Sequence, residues 1–136
     1  MEELDSEKQI YCCNCEKEVS ARLTDGREIY PHRDDLYHLP FWICDTCGMY
    51  VGCHHKTNDP TRPLGNIPSP EIQQARKNIH ALLDPIWKSG AITRKRAYKF
   101  ISDCIGWRYH TAKIRNMQEA DKVLMSIDKL KKDIYG

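Results

Sequence analysis

The chain has 136 residues, of which 40% are hydrophobic, with seven cysteines and a formal net charge of +2. This length suits one ordinary domain or a small metal-stapled module with a helical partner, and the odd cysteine count argues against a fully paired disulfide framework. The acidic, polar start does not resemble a signal peptide, and no apolar run approaches the roughly 18 residues of a membrane span. We therefore predict a cytoplasmic protein with no membrane association, in which paired cysteines indicate a metal.

Charge is distributed unevenly along the chain. Residues 1–60 carry 6 Lys and Arg against 12 Asp and Glu, a net charge of −6, whereas residues 61–136 carry 15 against 7, a net charge of +8. An anionic partner such as nucleic acid would therefore meet the second half. Two alternatives stay open, namely that the halves attract each other or that the lysines only solvate helical surfaces.

The first half predicts short strands. Residues 1–10 are typical of a polar tail. Asp25 and Gly26 stand between two alternating runs, which predicts a type I′ β-hairpin because that turn needs positive φ. Residues 41–43 and 49–51 predict two further strands, on either side of the second cysteine pair.

Composition also indicates where one part of the chain ends and the next begins. Four prolines within residues 56–70 mark an irregular segment. We predict a zinc-ribbon-like module over residues 11–58, a Pro-rich linker over 59–69 and a basic helical part over 70–136.

After the linker the apolar residues are spaced three and four apart, which predicts three helices. The first begins at Pro70, and Pro85 should kink or end it because proline lacks a backbone N–H. The second runs from near Thr93 to a stop at Gly106. The third begins at Asn116, with a glutamate three residues on that resembles a capping box. The pattern as a whole predicts an α+β fold, in which a small antiparallel zinc-ribbon-like sheet is followed by a three-helix C-terminal part.

Two Cys-x-x-Cys pairs are the most specific motif in the sequence: Cys12, Cys15, Cys44 and Cys47. Each pair can close a tight turn, and two facing turns place four thiolates in a tetrahedron at about 2.3 Å from Zn²⁺. Gly48 suits the positive φ that such turns often need. A closed Cys₄ set leaves no open coordination position, so we predict a structural zinc ion. Cys13 is an alternative partner for Cys15, and we favour Cys12 because neighbouring ligands are rare in such a turn.

A second cluster of potential ligands follows the cysteine pairs: Cys53, His54 and His55. One hypothesis is a second metal site. The alternative, which we favour, is a strand end with a buried cysteine and hydrogen-bonded or solvated histidines, because no carboxylate lies at a diagnostic spacing. A further hypothesis is a nuclease in which a hydrolytic metal activates water. Its candidate residues are His54, His55, His32 and either Asp34 or Asp35, although the aspartates could equally pair with Arg33.

The second half of the chain sets basic residues among aromatic ones. Seven of them are candidate nucleic-acid contacts: Arg94, Lys95, Arg96, Lys99, Arg108, Lys113 and Arg115. Cations among aromatic rings suit contact with a phosphate backbone or a single strand. Trp87 and Trp107 are predicted to be buried, because aromatic side chains more often belong to the core.

Several segments in chain order carry a resemblance to a known family: Tyr11-Cys12-x-x-Cys15, Tyr30-Pro31-His32-Arg33, Phe41-Trp42-x-Cys44-x-x-Cys47-Gly48-x-Tyr50-Val51-Gly52-Cys53-His54, Pro63-Leu64-Gly65, Arg76, His80 and Asp84-Pro85-x-Trp87. Over residues 11–115 the chain resembles the zinc-finger-containing family of bacterial and phage proteins, from which it departs in the doubled His54-His55. The resemblance implies zinc binding and a mobile-element origin, but it implies no activity. Because it crosses the predicted linker, it also implies that the helical part packs on the module as one unit.

Three functions follow as hypotheses. The first, which we favour, is a zinc-stabilised, non-enzymatic protein that contacts nucleic acid or a nucleoprotein through its basic helical half. The second is a phage-borne inhibitor that binds a protein of the host defence or transcription machinery. The third is the metal-dependent nuclease.

Overall fold

The structure, a computed structural model, describes residues 6–136 and has an α+β fold. Within that range a four-stranded antiparallel sheet is followed by three long helices, which confirms the predicted fold class. The chain divides into two units, of which the first ends at Ser69 and the second begins at Pro70. The packing of the helical part on the module as one unit stays a prediction.

The sheet has the strand order β1-β2-β3-β4, and each neighbouring pair is antiparallel. Its strands are β1 Glu7–Cys12, β2 Lys17–Asp25, β3 Pro40–Ile43 and β4 Tyr50–Gly52. The predicted polar tail is wrong for residues 7–10, which lie in β1, while residues 1–5 of that tail fall outside the described residues. Backbone pairing with β2 does not require apolar side chains, and Ile10, opposite Val19, is buried in the core.

One face of the sheet forms the core of the first unit. Buried side chains from all four strands meet there, among them Ile10, Val19, Ala21, Trp42 and Val51. Ile67 joins them at 0% exposure and bridges to Cys12, and the Trp42 indole donates a hydrogen bond to the Thr61 carbonyl at 2.6 Å. Residues 59–69 therefore cover the sheet, and the prediction of a linker there is wrong. The linker was predicted from the four prolines, and nothing in the sequence pattern indicates that Ile67 is buried.

The predicted hairpin at Asp25 and Gly26 is also wrong. The Asp25 side chain accepts a hydrogen bond from the Arg27 backbone N–H and caps a single helical turn, α1 Gly26–Ile29. Glycine is required for close packing rather than for positive φ, because a Cβ on Gly26 would overlap the backbone carbonyl of Leu36. The chain then passes through a 3-10 turn at Asp34–Leu36 and returns as β3, which pairs with β2.

The second unit contains three helices, α2 Pro70–Lys88, α3 Arg94–Ile105 and α4 Met117–Tyr135, with a 3-10 turn at Thr111–Lys113. Each helix presents an apolar stripe to a shared core. The fully buried members include Ile79, Leu83, Ile101, Ile127 and Leu130. Within residues 6–136, no helix combines the length and the apolar character needed to cross a membrane.

The helix ends follow the predicted signals, and of the two outcomes predicted at Pro85, a kink or an end, the end is not observed. Thr93 and Asn116 cap α3 and α4 through their side chains, and Gly106 ends α3 with a φ of 86°. α2 does not end at Pro85 but continues to Lys88. Proline costs a helix interior about 3 kcal/mol, whereas burying a Leu or Ile side chain contributes about 1.5–3 kcal/mol. Burial of Leu83 and Ile86 on either side therefore offsets the lost hydrogen bond.

Candidate metal centre

The four paired cysteines lie at two hairpin turns of the sheet. Cys12 ends β1 and Cys15 lies in the turn that leads to β2. Cys44 follows β3 directly, and Cys47 lies in the turn that leads to β4. Since antiparallel pairing joins β1 to β2 and β3 to β4, each turn is held by its own hairpin.

The sulfur atoms of these two turns meet in one cluster. Cys12 Sγ lies 3.7 Å from Cys47 Sγ, and Cys15 Sγ lies 3.7 Å from Cys44 Sγ. All four sulfurs lie within 4.8 Å of one another. A regular tetrahedron with Zn–S bonds of about 2.3 Å has sulfur–sulfur edges of about 3.8 Å, whereas a disulfide bond is about 2.05 Å long. The spacing therefore fits a tetrahedral metal site, and none of the seven cysteines forms a disulfide bond.

The two metal-binding turns share one backbone conformation. The Glu16 N–H donates to the Cys12 carbonyl at 2.7 Å, and the Gly48 N–H donates to the Cys44 carbonyl at the same distance. Both donors have positive φ, 60° for Glu16 and 81° for Gly48. The positive φ predicted at Gly48 is thus confirmed, and the same conformation at Glu16 was not predicted, because nothing in the residue type signals it.

Burial opposes ionisation of three of these thiols, those of Cys12, Cys15 and Cys47. It raises the pKa of Cys12 to about 12, and burial together with the neighbouring Cys44 thiol raises the pKa of Cys15. Burial acts against ionisation of Cys47 too, but hydrogen bonds from the Met49 backbone and the Asn14 side chain outweigh it and lower that pKa to about 7. A divalent cation supplies the charge that stabilises four adjacent thiolates.

The donor set fits zinc. Four thiolate sulfurs in tetrahedral arrangement are typical of structural zinc sites and leave no coordination position for water or substrate. Cys12, Cys15, Cys44 and Cys47 would hold the ion, which would join the two hairpins of the first unit. Cys13 is buried, but its sulfur is not part of the cluster.

An ion-pair network lies beside the second metal-binding turn. The Arg22 guanidinium donates to Asp45 through Nε and Nη2, both at 2.8 Å, and to Glu28 at 2.9 and 3.1 Å. These hydrogen bonds hold the pKa of the Asp45 carboxyl below its ordinary value. The groups are exposed, so the network orients the turn and contributes little to stability.

The second predicted cluster is not assembled as a metal site. Cys53 is buried in the sheet core, and burial raises the pKa of its thiol to about 11. Its neighbour His54 is half-buried and His55 is exposed. Among residues 6–136, the four paired cysteines are the one group of three or more potential ligands that lie close enough to share an ion. The buried Cys53 fits the favoured interpretation of a strand end, and a second metal site stays a hypothesis.

The residues predicted for a nuclease likewise do not form a ligand group in the described part of the chain. Asp35 instead accepts two hydrogen bonds from the Arg33 guanidinium, at 2.8 and 2.9 Å. These hydrogen bonds lower the pKa of the Asp35 carboxyl. The alternative in which Arg33 pairs with a neighbouring aspartate is therefore the one observed.

The basic residues predicted to contact nucleic acid are all exposed, and four of them line one cavity in the second unit. That cavity has a volume of about 630 Å³, and its predicted cations are Arg94, Lys95, Lys99 and Arg108. The other three, Arg96, Lys113 and Arg115, are not among its lining residues. Tyr98 adds aromatic surface to the lining, whereas the Tyr109 ring beside it is buried. Tyr98 was not predicted, although its place one helical turn after Arg94 is a signal that could have identified it.

The two tryptophans of the second unit are half-buried, so the prediction that they are buried is only partly right. The Trp87 indole donates to the Asp84 carboxylate at 3.2 Å. An oxygen of the Asp84 carboxylate also lies 3.3 Å from Nδ1 of His80, within the distance of a hydrogen bond or an ion pair. The guanidinium of Arg94 lies 5.7 Å from the centroid of the Trp87 ring.

The antiparallel sheet and its cysteine cluster define a zinc-binding protein of zinc-ribbon-like architecture. The chain matches the family described as a zinc-finger-containing domain over residues 8–132, and it belongs to that family. No curated protein matches it, and no solved structure does.

Proposed function

We propose that this zinc-binding protein is a non-enzymatic nucleic-acid-binding protein, in which the zinc ion stabilises the first unit and the second unit contacts the nucleic acid. The observation that carries the proposal is the concentration of unpaired cations around α3. Residues 70–136 carry 14 Lys and Arg against 7 Asp and Glu, a net charge of +7. A surplus of this kind attracts the phosphate backbone at long range.

The cations around α3 are available to a ligand. In residues 6–136, Arg94, Lys95 and Arg108 make no ion pair, whereas Lys99 pairs with Asp103 at 3.4 Å. Cations that are not neutralised within the protein can displace the counterions condensed on the phosphates. The release of those counterions is the main source of non-specific affinity for nucleic acid. The closed Cys₄ set supports a structural role for the metal, because a substrate has no position at which to bind it.

The test is a salt titration of binding to a labelled oligonucleotide, single-stranded and duplex, with the zinc-loaded full chain. We expect binding at low salt that weakens as salt rises, with a slope of log K against log salt of about −0.9 for each duplex phosphate contact. The double variant Lys95→Gln/Arg96→Gln should lower the slope by about 2.

A matched control removes the same charge from α4 by Lys129→Gln/Lys132→Gln. Both lysines are exposed and lie outside the cavity lining. The control should leave the slope nearly unchanged. Absence of binding at low salt would refute the proposal and would favour the protein-binding inhibitor, whose phage origin stays a prediction.

A further inference from the structure

The cavity beside α3 has the dimensions of a small-molecule site. Its volume of about 630 Å³ falls within the range of roughly 300–1,000 Å³ that holds cofactors and drug-sized ligands. A nucleotide within a duplex cannot enter such a space, because its base is stacked and paired. A free nucleotide, or an unpaired nucleotide of a single strand, can enter.

The charges of the lining favour an anion. Four Lys and Arg side chains and one carboxylate, Asp103, give the lining a net charge of +3. Asp103 would repel a phosphate, but its ion pair with Lys99 at 3.4 Å compensates its charge. Arg94, Lys95 and Arg108 are left without a carboxylate partner in the described residues, and a phosphate among them would relieve their mutual repulsion.

Arg94 is held in position before any ligand binds. Its guanidinium lies 4.2 Å from the Tyr98 ring centroid and 5.7 Å from that of Trp87. The Trp87 indole is itself oriented by its hydrogen bond to Asp84. A planar guanidinium that is already stacked loses little freedom when it binds phosphate with two parallel N–H donors.

Tyr98 is also held in position by its neighbours. The Tyr98 and Tyr109 ring centroids lie 5.2 Å apart. The Ser102 hydroxyl accepts from the Tyr109 N–H at 2.9 Å and donates to the Tyr98 carbonyl at 2.8 Å, which joins the two residues. The Tyr109 ring is buried, so the half-buried Tyr98 ring is the aromatic surface that a base or a sugar can meet.

We propose that the cavity binds a nucleoside phosphate, with the phosphate held by Arg94, Lys95 and Arg108 and the nucleoside against Tyr98. Where the nucleotide belongs to a strand, the inference rests on the proposed function and makes it specific for unpaired nucleic acid. Where the nucleotide is free, the same chemistry applies without a polymer.

The experiment is a calorimetric titration of the zinc-loaded full chain at low salt with AMP, adenosine and inorganic phosphate, beside anisotropy measurements with single-stranded and duplex oligonucleotides. We expect AMP to bind and adenosine to bind at least about tenfold more weakly, because adenosine lacks the phosphate that makes charge-assisted hydrogen bonds. We also expect the single strand to bind more tightly than the duplex.

Three variants sharpen the experiment. Lys95→Gln and Arg108→Gln each remove one exposed cation from the lining, and each should weaken the binding of AMP about tenfold. Lys129→Gln removes the same charge from α4, outside the lining, and should change AMP affinity by less than about twofold. Circular dichroism of each variant shows whether its helices are intact.

The outcomes separate this inference from the proposed function. AMP binding that fails while oligonucleotides still bind would overturn the cavity assignment and leave the proposed function standing. The cavity assignment would also be overturned if Lys129→Gln weakened AMP binding as much as Arg108→Gln does. AMP binding without any oligonucleotide binding would assign the cavity to a free nucleotide and refute the proposed function alone.

Discussion

At the scale of single residues, the metal site depends on two positions that are not ligands. Glu16 and Gly48 follow the second cysteine of their turns, and each has positive φ and donates its N–H to the first cysteine's carbonyl. For an L-residue with a side chain this conformation costs about 1–2 kcal/mol, and for glycine it costs almost nothing. One turn is therefore strained and the other is relaxed.

This difference predicts that two substitutions act in opposite directions. Glu16→Gly should raise the free energy of unfolding of the zinc-loaded protein by about 0.5–1 kcal/mol, because the relief of strain exceeds the added freedom of the unfolded chain. Gly48→Ala should lower it by about 1 kcal/mol through φ alone, since a Cβ there meets no atom within 4 Å. Thermal unfolding of both variants measures the two shifts, and shifts of the same sign would contradict the explanation.

At the scale of elements, α2 contains a proline in its interior, where side-chain packing outweighs the tendency of proline to end a helix. Pro85 lacks the N–H that would bond to the preceding turn, yet the helix continues to Lys88. Pro70, in contrast, occupies the first residue of the helix, where no internal partner for an N–H exists. The same residue type is thus neutral at one position and costly at the other.

We therefore expect Pro85→Ala to stabilise the second unit. The restored hydrogen bond and relieved clash should exceed the loss of proline's restriction of the unfolded chain, for a net gain of about 1–2 kcal/mol. Pro70→Ala is the matched control and should give no gain. Thermal unfolding followed by circular dichroism at 222 nm compares the two, and an equal effect at both positions would refute the argument.

At the scale of the whole molecule, the two units differ in what stabilises them. The core of the first unit includes two of the metal-binding cysteines, Cys12 and Cys44, among few large apolar side chains. Domains of this size rarely gain more than a few kcal/mol of folding stability from such a core. Metal binding therefore contributes most of the remaining stability. The second unit buries apolar stripes from three helices and contains no member of the cysteine cluster.

Removal of zinc by a chelator should therefore unfold the first unit and leave the helices of the second. Hydrogen exchange followed residue by residue measures this. Amides of β1 to β4 should lose protection, those of α2 to α4 should keep it, and added zinc should restore the first set. Unchanged protection in the strands would show that the ion does not stabilise the fold, and simultaneous loss in both units would show that they fold cooperatively.

The sequence by itself determined the features that depend on neighbours along the chain. The paired cysteines, the helix start near Thr93, the cap at Asn116 and the stop at Gly106 were all predicted, because a turn or a helix end is decided within about four residues. The α+β class followed from the change in apolar spacing. The excess of positive charge in the second half followed from composition alone.

The tertiary structure decided what depends on distant partners. Asp25 and Gly26 form a cap because Leu36 packs against the glycine, and residues 59–69 cover the sheet because Ile67 enters its core. The cavity exists because the segment after α3 brings Arg108 and Tyr109 back to that helix. Such contacts join residues far apart in sequence, and their energy comes from burial, which no local pattern specifies.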